Sequence, residues 1–268
     1  RNLHPQSLER CSEKIDMAIK QIRDYYGISI ERDKIKFDEI EIAMDIETDF
    51  CFEDYTSILT TFSSLSSKHY AKNINKDRDS QLNAIMLKNK RSSLIIYDKK
   101  KQLATKDIHI NHNRMRFEYT LTQNRKCDKI KSSFGSEYFE DFNDKMLAHF
   151  FEKQINKDIF RPFENNIKQV KKIVNQSLND FFRNSSWLKS IINSLVQNLD
   201  SFVSTNKITI FDIEILKDSI KKKDPKNFAR NYKKIQDDCP KSFINVNRKY
   251  NEIKDKINKN ISSILEEL

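Results

Sequence analysis

Glycine is nearly absent: Gly27 and Gly135 are the only two in 268 residues. A phosphate-cradling loop needs backbone that can adopt left-handed conformations and approach a ligand closely, which is glycine's role. The GxxxxGKS/T and GxGxxG patterns are both missing. P-loop nucleotide hydrolysis and Rossmann-type dinucleotide chemistry are thereby excluded. The four cysteines, Cys11, Cys51, Cys127 and Cys239, form no CxxC pair. Zinc-finger spacing and a disulfide scaffold are therefore absent, and the thiols read as the reduced cysteines of a cytoplasmic protein. No apolar run reaches the ~18 residues of a membrane span, so no membrane partner is expected. The chain opens on Arg1 rather than Met, and a segment ahead of it, with any targeting signal, is expected outside this sequence.

Charge is what the chain has in abundance, and it is unevenly spread. The formal net charge is +10. Residues 1–67 carry 8 basic and 14 acidic side chains, whereas residues 68–131 carry 17 basic and 6 acidic ones. Between positions 37 and 67 there is no Lys or Arg, and Asp38, Glu39, Glu41, Asp45, Glu47, Asp49, Glu53 and Asp54 follow in close succession. A lysine-rich segment interleaved with His and Tyr is the composition that neutralises phosphates and releases counterions, which points to nucleic acid. An acidic segment beside a basic one matches a metal-dependent phosphodiester enzyme, in which carboxylates hold a divalent cation (Mg or Mn) and cations hold the strand.

Periodicity supplies the elements. Leu8, Cys11, Ile15, Ala18, Ile22 and Tyr26 recur at helical spacing, with Ser7 placed to cap the helix and Gly27 to end it. In IEIAMDI (40–46), Ile40, Ile42, Met44 and Ile46 alternate with Glu41, Ala43 and Asp45, as in a half-buried strand. TSILTTFSSLSS (56–67) reads as a helix or helix-loop. NAIML (83–87), SLIIYD (93–98) and RMRFEYTL (114–121) read as further strands, the last with Met115, Phe117, Tyr119 and Leu121 on its apolar face. The expected fold is α+β: an N-terminal antiparallel sheet with flanking helices, then a mostly α-helical C-terminal region. Helices are expected over 187–199, over 209–220 with a stop near Asp224-Pro225, and over 245–266 with Ile253, Ile257, Ile261, Ile264 and Leu265 on one face. Composition shifts at 122–136, the best linker, between an α+β domain (1–125) and a helical one (137–268). DNA binding and oligomerisation are the two roles open to the second domain.

YYGISI (25–30), IEIAMDI (40–46), LIIYDKKKQL (94–103) and RMRFEYTL (114–121), in that order, resemble the motifs of phage and small-plasmid rolling-circle replication initiators. The resemblance covers roughly residues 2–125. It implies an antiparallel sheet that holds a divalent metal and a nucleophilic tyrosine, which attacks a DNA phosphodiester to leave a 5′-phosphotyrosyl link and a free 3′-OH. It also implies DNA as partner, single-stranded or as the origin duplex, with a homo-oligomer or host replication proteins as further partners. Two features depart from the pattern. His109 and His112 are separated by two residues instead of one, and Met86 stands where related plasmid initiators have a tyrosine before the IYDK strand.

The candidate residues follow. Asp45, on the polar side of its strand, is the first metal ligand, with Glu47 as a neighbour able to share an ion and Glu118 completing the site from another strand. His69 is a ligand or acid/base group, and Tyr70, between His69 and Lys72, is the expected nucleophile. Lys88, Lys90, Arg91, Lys99, Lys100, Lys101, Arg114 and Arg116 are the expected nucleic-acid contacts, Asp98 turning the chain so that the three lysines after it meet phosphates. The competing readings are a non-catalytic nucleic-acid-binding protein on the same scaffold and a helical interaction protein of a mobile element.

Overall fold

The structure, a computed structural model, describes residues 8–66, 70–76, 82–124, 127–183, 199–205, 210–223, 225–238 and 245–266. In chain order the elements are α1 (Leu8–Tyr26), β1 (Glu39–Thr48), α2 (Thr56–Leu65), β2 (Ala71–Lys76), β3 (Leu82–Lys88), β4 (Ser92–Asp98), α3 (Lys99–Ala104), β5 (Asn113–Asn124), β6 (Cys127–Asp128), α4 (Lys129–Phe134), α5 (Asp144–Ile155), α6 (Arg161–Arg183), α7 (Leu199–Thr205), α8 (Glu214–Lys223), α9 (Phe228–Asp238) and α10 (Val246–Glu266). The fold is α+β, with an antiparallel sheet in the N-terminal half and helices dominating the remainder. The sheet order is β1-β5-β4-β3-β2, with the short β6 pairing the end of β5.

The strands form where alternation predicts them, and the reason is burial of the apolar face. Met115, Phe117, Tyr119 and Leu121 of β5 are all essentially inaccessible, as are Leu94 and Ile96 of β4 and Ile85 and Leu87 of β3. Tyr119 meets Phe150 and Phe151 of α5 edge-on, at centroid distances of 6.4 and 5.5 Å. Ile40, Leu121, Ile130, Phe142 and Phe150 join in one cluster, to which Leu8 of α1 adds its side chain. α1 ends as expected: Gly27 takes φ +65 and its N–H bonds the Arg23 carbonyl at 2.9 Å.

Contacts group the chain into two compact units, each discontinuous in sequence. One comprises Arg1–Phe52, Ser67–Asn156 and Asp255–Leu268; the other comprises Glu53–Ser66 and Lys157–Lys254. The first contains the sheet. In the second, Val170 and Val174 of α6 pack with Phe211, Leu216, Tyr232 and Ile235, and Phe163 stacks on Tyr250 at 4.2 Å. Buried Asp212 accepts hydrogen bonds from the Glu214 N–H at 2.9 Å and the Asn247 N–H at 2.7 Å, so one carboxylate satisfies donors at the starts of α8 and α10.

Several expectations need correction. The 122–136 stretch is not a linker: β5 runs to Asn124, α4 follows, and Ile130 is fully buried against Leu121. Its shift in composition reflects a change from strand to helix within one packed unit. β2 was not anticipated, because its six residues, AKNINK, are all exposed and carry no burial alternation. The helix expected from 209 starts at Glu214, after the buried non-helical run Ile210–Ile213, and stops at Lys223 before Pro225 as predicted. In α10, Ile253, Ile257 and Ile261 are buried within the chain. The helix expected at 187–199 lies, apart from Leu199, outside the described residues, as does Ser7.

Ile130→Ala is expected to cost about 2–5 kcal/mol of stability, the usual result of emptying a fully packed isoleucine site. The readout is the urea midpoint at unchanged slope. A loss under about 0.5 kcal/mol, typical of surface positions, would mean the segment is not integral to the core.

Candidate active face of the sheet

Register places the polar side chains of five strands on one face. Opposed residues on neighbouring strands share a face, so the pairings Asn75–Ala84, Ala84–Tyr97, Tyr97–Arg116 and Arg116–Asp45 define one transverse row. The next row, two residues along, runs Asn73–Met86–Ile95–Glu118–Ala43, and a third runs Ala71–Lys88–Ser93–Thr120–Glu41. Asp45 and Glu118 are thus diagonal neighbours, a separation of about 7–8 Å.

The first row closes on a bidentate ion pair. Arg116 uses its Nε to bond Asp45 Oδ1 and its Nη2 to bond Oδ2 at 2.8 Å. The Arg116 side chain is 2% exposed and that of Asp45 15%. Burial works against the guanidinium's charge, but the hydrogen bonds and charge of Asp45 overcome it and raise its pKa. Such fork-to-carboxylate geometry is strong because both bonds are charge-assisted and planar.

Tyr97 and Glu118 form the second contact: the phenol donates to Glu118 Oε2 at 3.1 Å. Burial, then the Glu118 charge, pushes the Tyr97 pKa up to about 12. Burial also raises the Glu118 carboxyl, with the Glu41 charge adding to it, while the Tyr97 bond, Arg116 and Lys99 pull the other way. Lys99 is the unexpected member. Asp98 does redirect the chain, but by capping a helix: its carboxylate accepts from the Lys101 N–H at 3.0 Å, opening α3. This rotates Lys99 inward, where it is buried, bonds Gln102 Oε1 at 2.7 Å and lies 5.8 Å from the centre of the Tyr97 ring. Burial and the nearby Arg116 lower its pKa, against the pull of Asp45.

The remaining predicted residues fall elsewhere. Glu47 is exposed and faces Arg114 across the ladder; its carboxylate lies 3.3 Å from His112 Nε2 and 3.7 Å from Arg114 Nη2. Lys88, Lys90 and Arg91 are exposed around the β3–β4 turn, and Lys100 reaches Asn113 Oδ1 at 3.4 Å. Lys101 is half-buried in α3. Tyr70 immediately precedes β2, at the sheet edge opposite β1, and His69 lies outside the described residues. The structure therefore unites Asp45, Glu118, Arg116 and Lys99, leaves Glu47 and Arg114 in a separate cluster, and adds Tyr97, which was not among the expected site residues. The signal for Tyr97 was its parity: in LIIYD it alternates with buried Leu94 and Ile96, which puts it on the polar face.

The expected Mg or Mn site does not fit these residues as arranged. Both Asp45 oxygens already receive guanidinium donors, Glu47 faces His112 and Arg114, and Glu118 accepts from Tyr97. Among the described residues no three His, Cys, Asp or Glu side chains gather as a metal cage would require. The positive charge that acts on Glu118 belongs to Arg116 and Lys99. No helix among the described residues is long and apolar enough to cross a membrane.

Asp45→Ala is expected to destabilise the protein by about 3–5 kcal/mol, because it strands a buried guanidinium, and adding Arg116→Met should restore most of the loss. Urea titrations of the single and double variants decide it. Glu118 supplies a pH test. Its folded pKa lies above the ordinary 4.5, so the native state holds the proton more tightly and stability falls as pH rises through that window. Glu118→Gln should gain stability relative to wild type as pH increases above 4.5; parallel curves would contradict the assignment. Compared with models of known protein families and with curated protein sequences, the chain matches none.

Proposed function

We propose that this chain is a replication initiator that binds DNA across the polar face of its sheet and transfers one strand to Tyr97. One observation carries the reading: a phenol bonded to a carboxylate, with a guanidinium and a buried ammonium beside it, at the centre of that face. In the proposed step the Tyr97 oxygen attacks phosphorus while its proton passes to Glu118. The bond from phosphorus to the 3′ oxygen breaks, and that oxygen takes a proton from the Lys99 ammonium. The products are a 5′-phosphotyrosyl link and a 3′-OH, and reversal rejoins the strand. Arg116 and Lys99 stabilise charge on the phosphoryl oxygens, the role that a divalent ion plays in metal-dependent nicking. Lys99 suits the donor role because its environment already weakens its hold on the proton.

A second reading, DNA binding without cleavage, is favoured by the burial of Arg116 and Glu118, at 2% and 8% exposure. Incubation with a labelled single-stranded oligonucleotide pool and with supercoiled DNA separates the two, scored as a protein–DNA adduct stable to denaturation. The expected result is an adduct in wild type and in Tyr70→Phe, and none in Tyr97→Phe. An adduct that survives Tyr97→Phe overturns the assignment, and salt-sensitive retention with no adduct in any sample establishes the second reading. Yield should be insensitive to EDTA or added Mn²⁺; loss of the adduct in EDTA would return the cationic role to a metal.

A further inference from the structure

The edge strand β2 ends the sheet opposite β1, pairs only with β3 among the described residues, and exposes all six of its side chains. A free strand edge invites pairing with another strand, and lysines on it discourage that. Here Lys72 and Lys76 leave the edge cationic, and Lys88 faces Ala71 from β3. Lys90 and Arg91 follow in the β3–β4 turn. Residues 70–97 carry six basic side chains in sequence, these five and Arg78, against two acidic ones, Asp77 and Asp79. The occupant favoured by such charge is a polyanion, and a second copy of the same cationic edge is disfavoured.

The two asparagines narrow the choice. Asn73 and Asn75 are exposed and sit on the polar face, at the outer ends of the rows that contain Glu118 and Tyr97. Asparagine is the side chain that bonds adenine N6 and N7 bidentately in the major groove, a groove wide enough for a β-ribbon. Residues two apart on a strand are about 6.6 Å apart, close to the ~6.8 Å spanned by two base-pair steps. The lysines fit the complementary role of positioning on phosphates, Lys72 from the opposite face and Lys76 beyond the register shift that follows Asn75. We infer that β2 is a duplex-reading edge: Asn73 and Asn75 recognise adenines two base pairs apart while Lys72 and Lys76 hold the flanking phosphates. This rests on the DNA-binding reading above and adds sequence specificity to it.

The test is selection of the full chain on a randomised 20-base-pair duplex pool, beside a matched single-stranded pool. Wild type should enrich duplexes with two adenines separated by one base pair. Asn73→Ala and Asn75→Ala should each lose preference at one of those positions, with affinity for the enriched duplex falling roughly 5- to 150-fold. Their salt dependence should be unchanged. Lys72→Ala and Lys76→Ala should weaken all duplexes alike and reduce the slope of log affinity against log salt by about 0.9 each. Because every β2 side chain is exposed, thermal midpoints should stay at the wild-type value, so lost preference is not lost fold. Salt-dependent retention with no base preference, preference in the single-stranded pool only, or preference that survives both asparagine substitutions overturns the inference and leaves DNA binding standing. Failure to retain either pool at low salt overturns the DNA-binding reading with it.

Discussion

The bond between Arg116 and Asp45 sets the character of the sheet's polar face. Without Asp45, a guanidinium at 2% exposure would face the desolvation cost of an isolated buried charge, and the β5 position could not be arginine. With it, Arg116 is fixed as a permanent cation between Tyr97 and β1. That cation opposes the rise in the Glu118 pKa and lowers the pKa of Lys99. Two titratable groups, one on a strand and one on a helix, thus respond to this cross-strand pair, although burial shifts each of them most.

The pair also explains how the chain separates its charge. The acidic run lies on and around β1, which carries Glu39, Glu41, Asp45 and Glu47, while β2 and β3 carry Lys72, Lys76 and Lys88. In sequence these segments are near neighbours. In the sheet β1 and β2 stand four strand spacings apart, about 19 Å at ~4.8 Å each, with β5, β4 and β3 between them. Asp45 and Glu47 meet arginines of β5, while the described lysines of β2 and β3 lie toward the far edge of the sheet. The acidic patch beside a basic one is real in composition, but its parts serve different ends of the face.

Much of the fold was legible in particular residues. β1 and β5 announce themselves because their apolar positions alternate; α10 does so because Ile253, Ile257 and Ile261 repeat at helical spacing. β2 was illegible for the converse reason, since an edge strand with no buried side chain leaves no hydrophobic trace. α3 was hidden by Lys99-Lys100-Lys101, which reads as a solvated turn until Asp98 is seen to cap it. At the candidate site, Asp45, Glu118 and Arg116 were nominated from strand parity, a local property. Their roles were not, because parity gives the face and says nothing of which neighbour each strand takes.

By itself the sequence determined the α+β class, the periodic elements and the absence of any glycine-built phosphate loop, because these depend on local spacing and composition. Tertiary structure alone decided that β5 inserts beside β1, so that Asp45 meets a guanidinium, that Lys99 turns inward beside Tyr97, and that a polar strand completes the sheet's far edge. The physical reason is that register and strand order are set by pairing between distant segments, 71 residues apart for Asp45 and Arg116, and no local pattern encodes them.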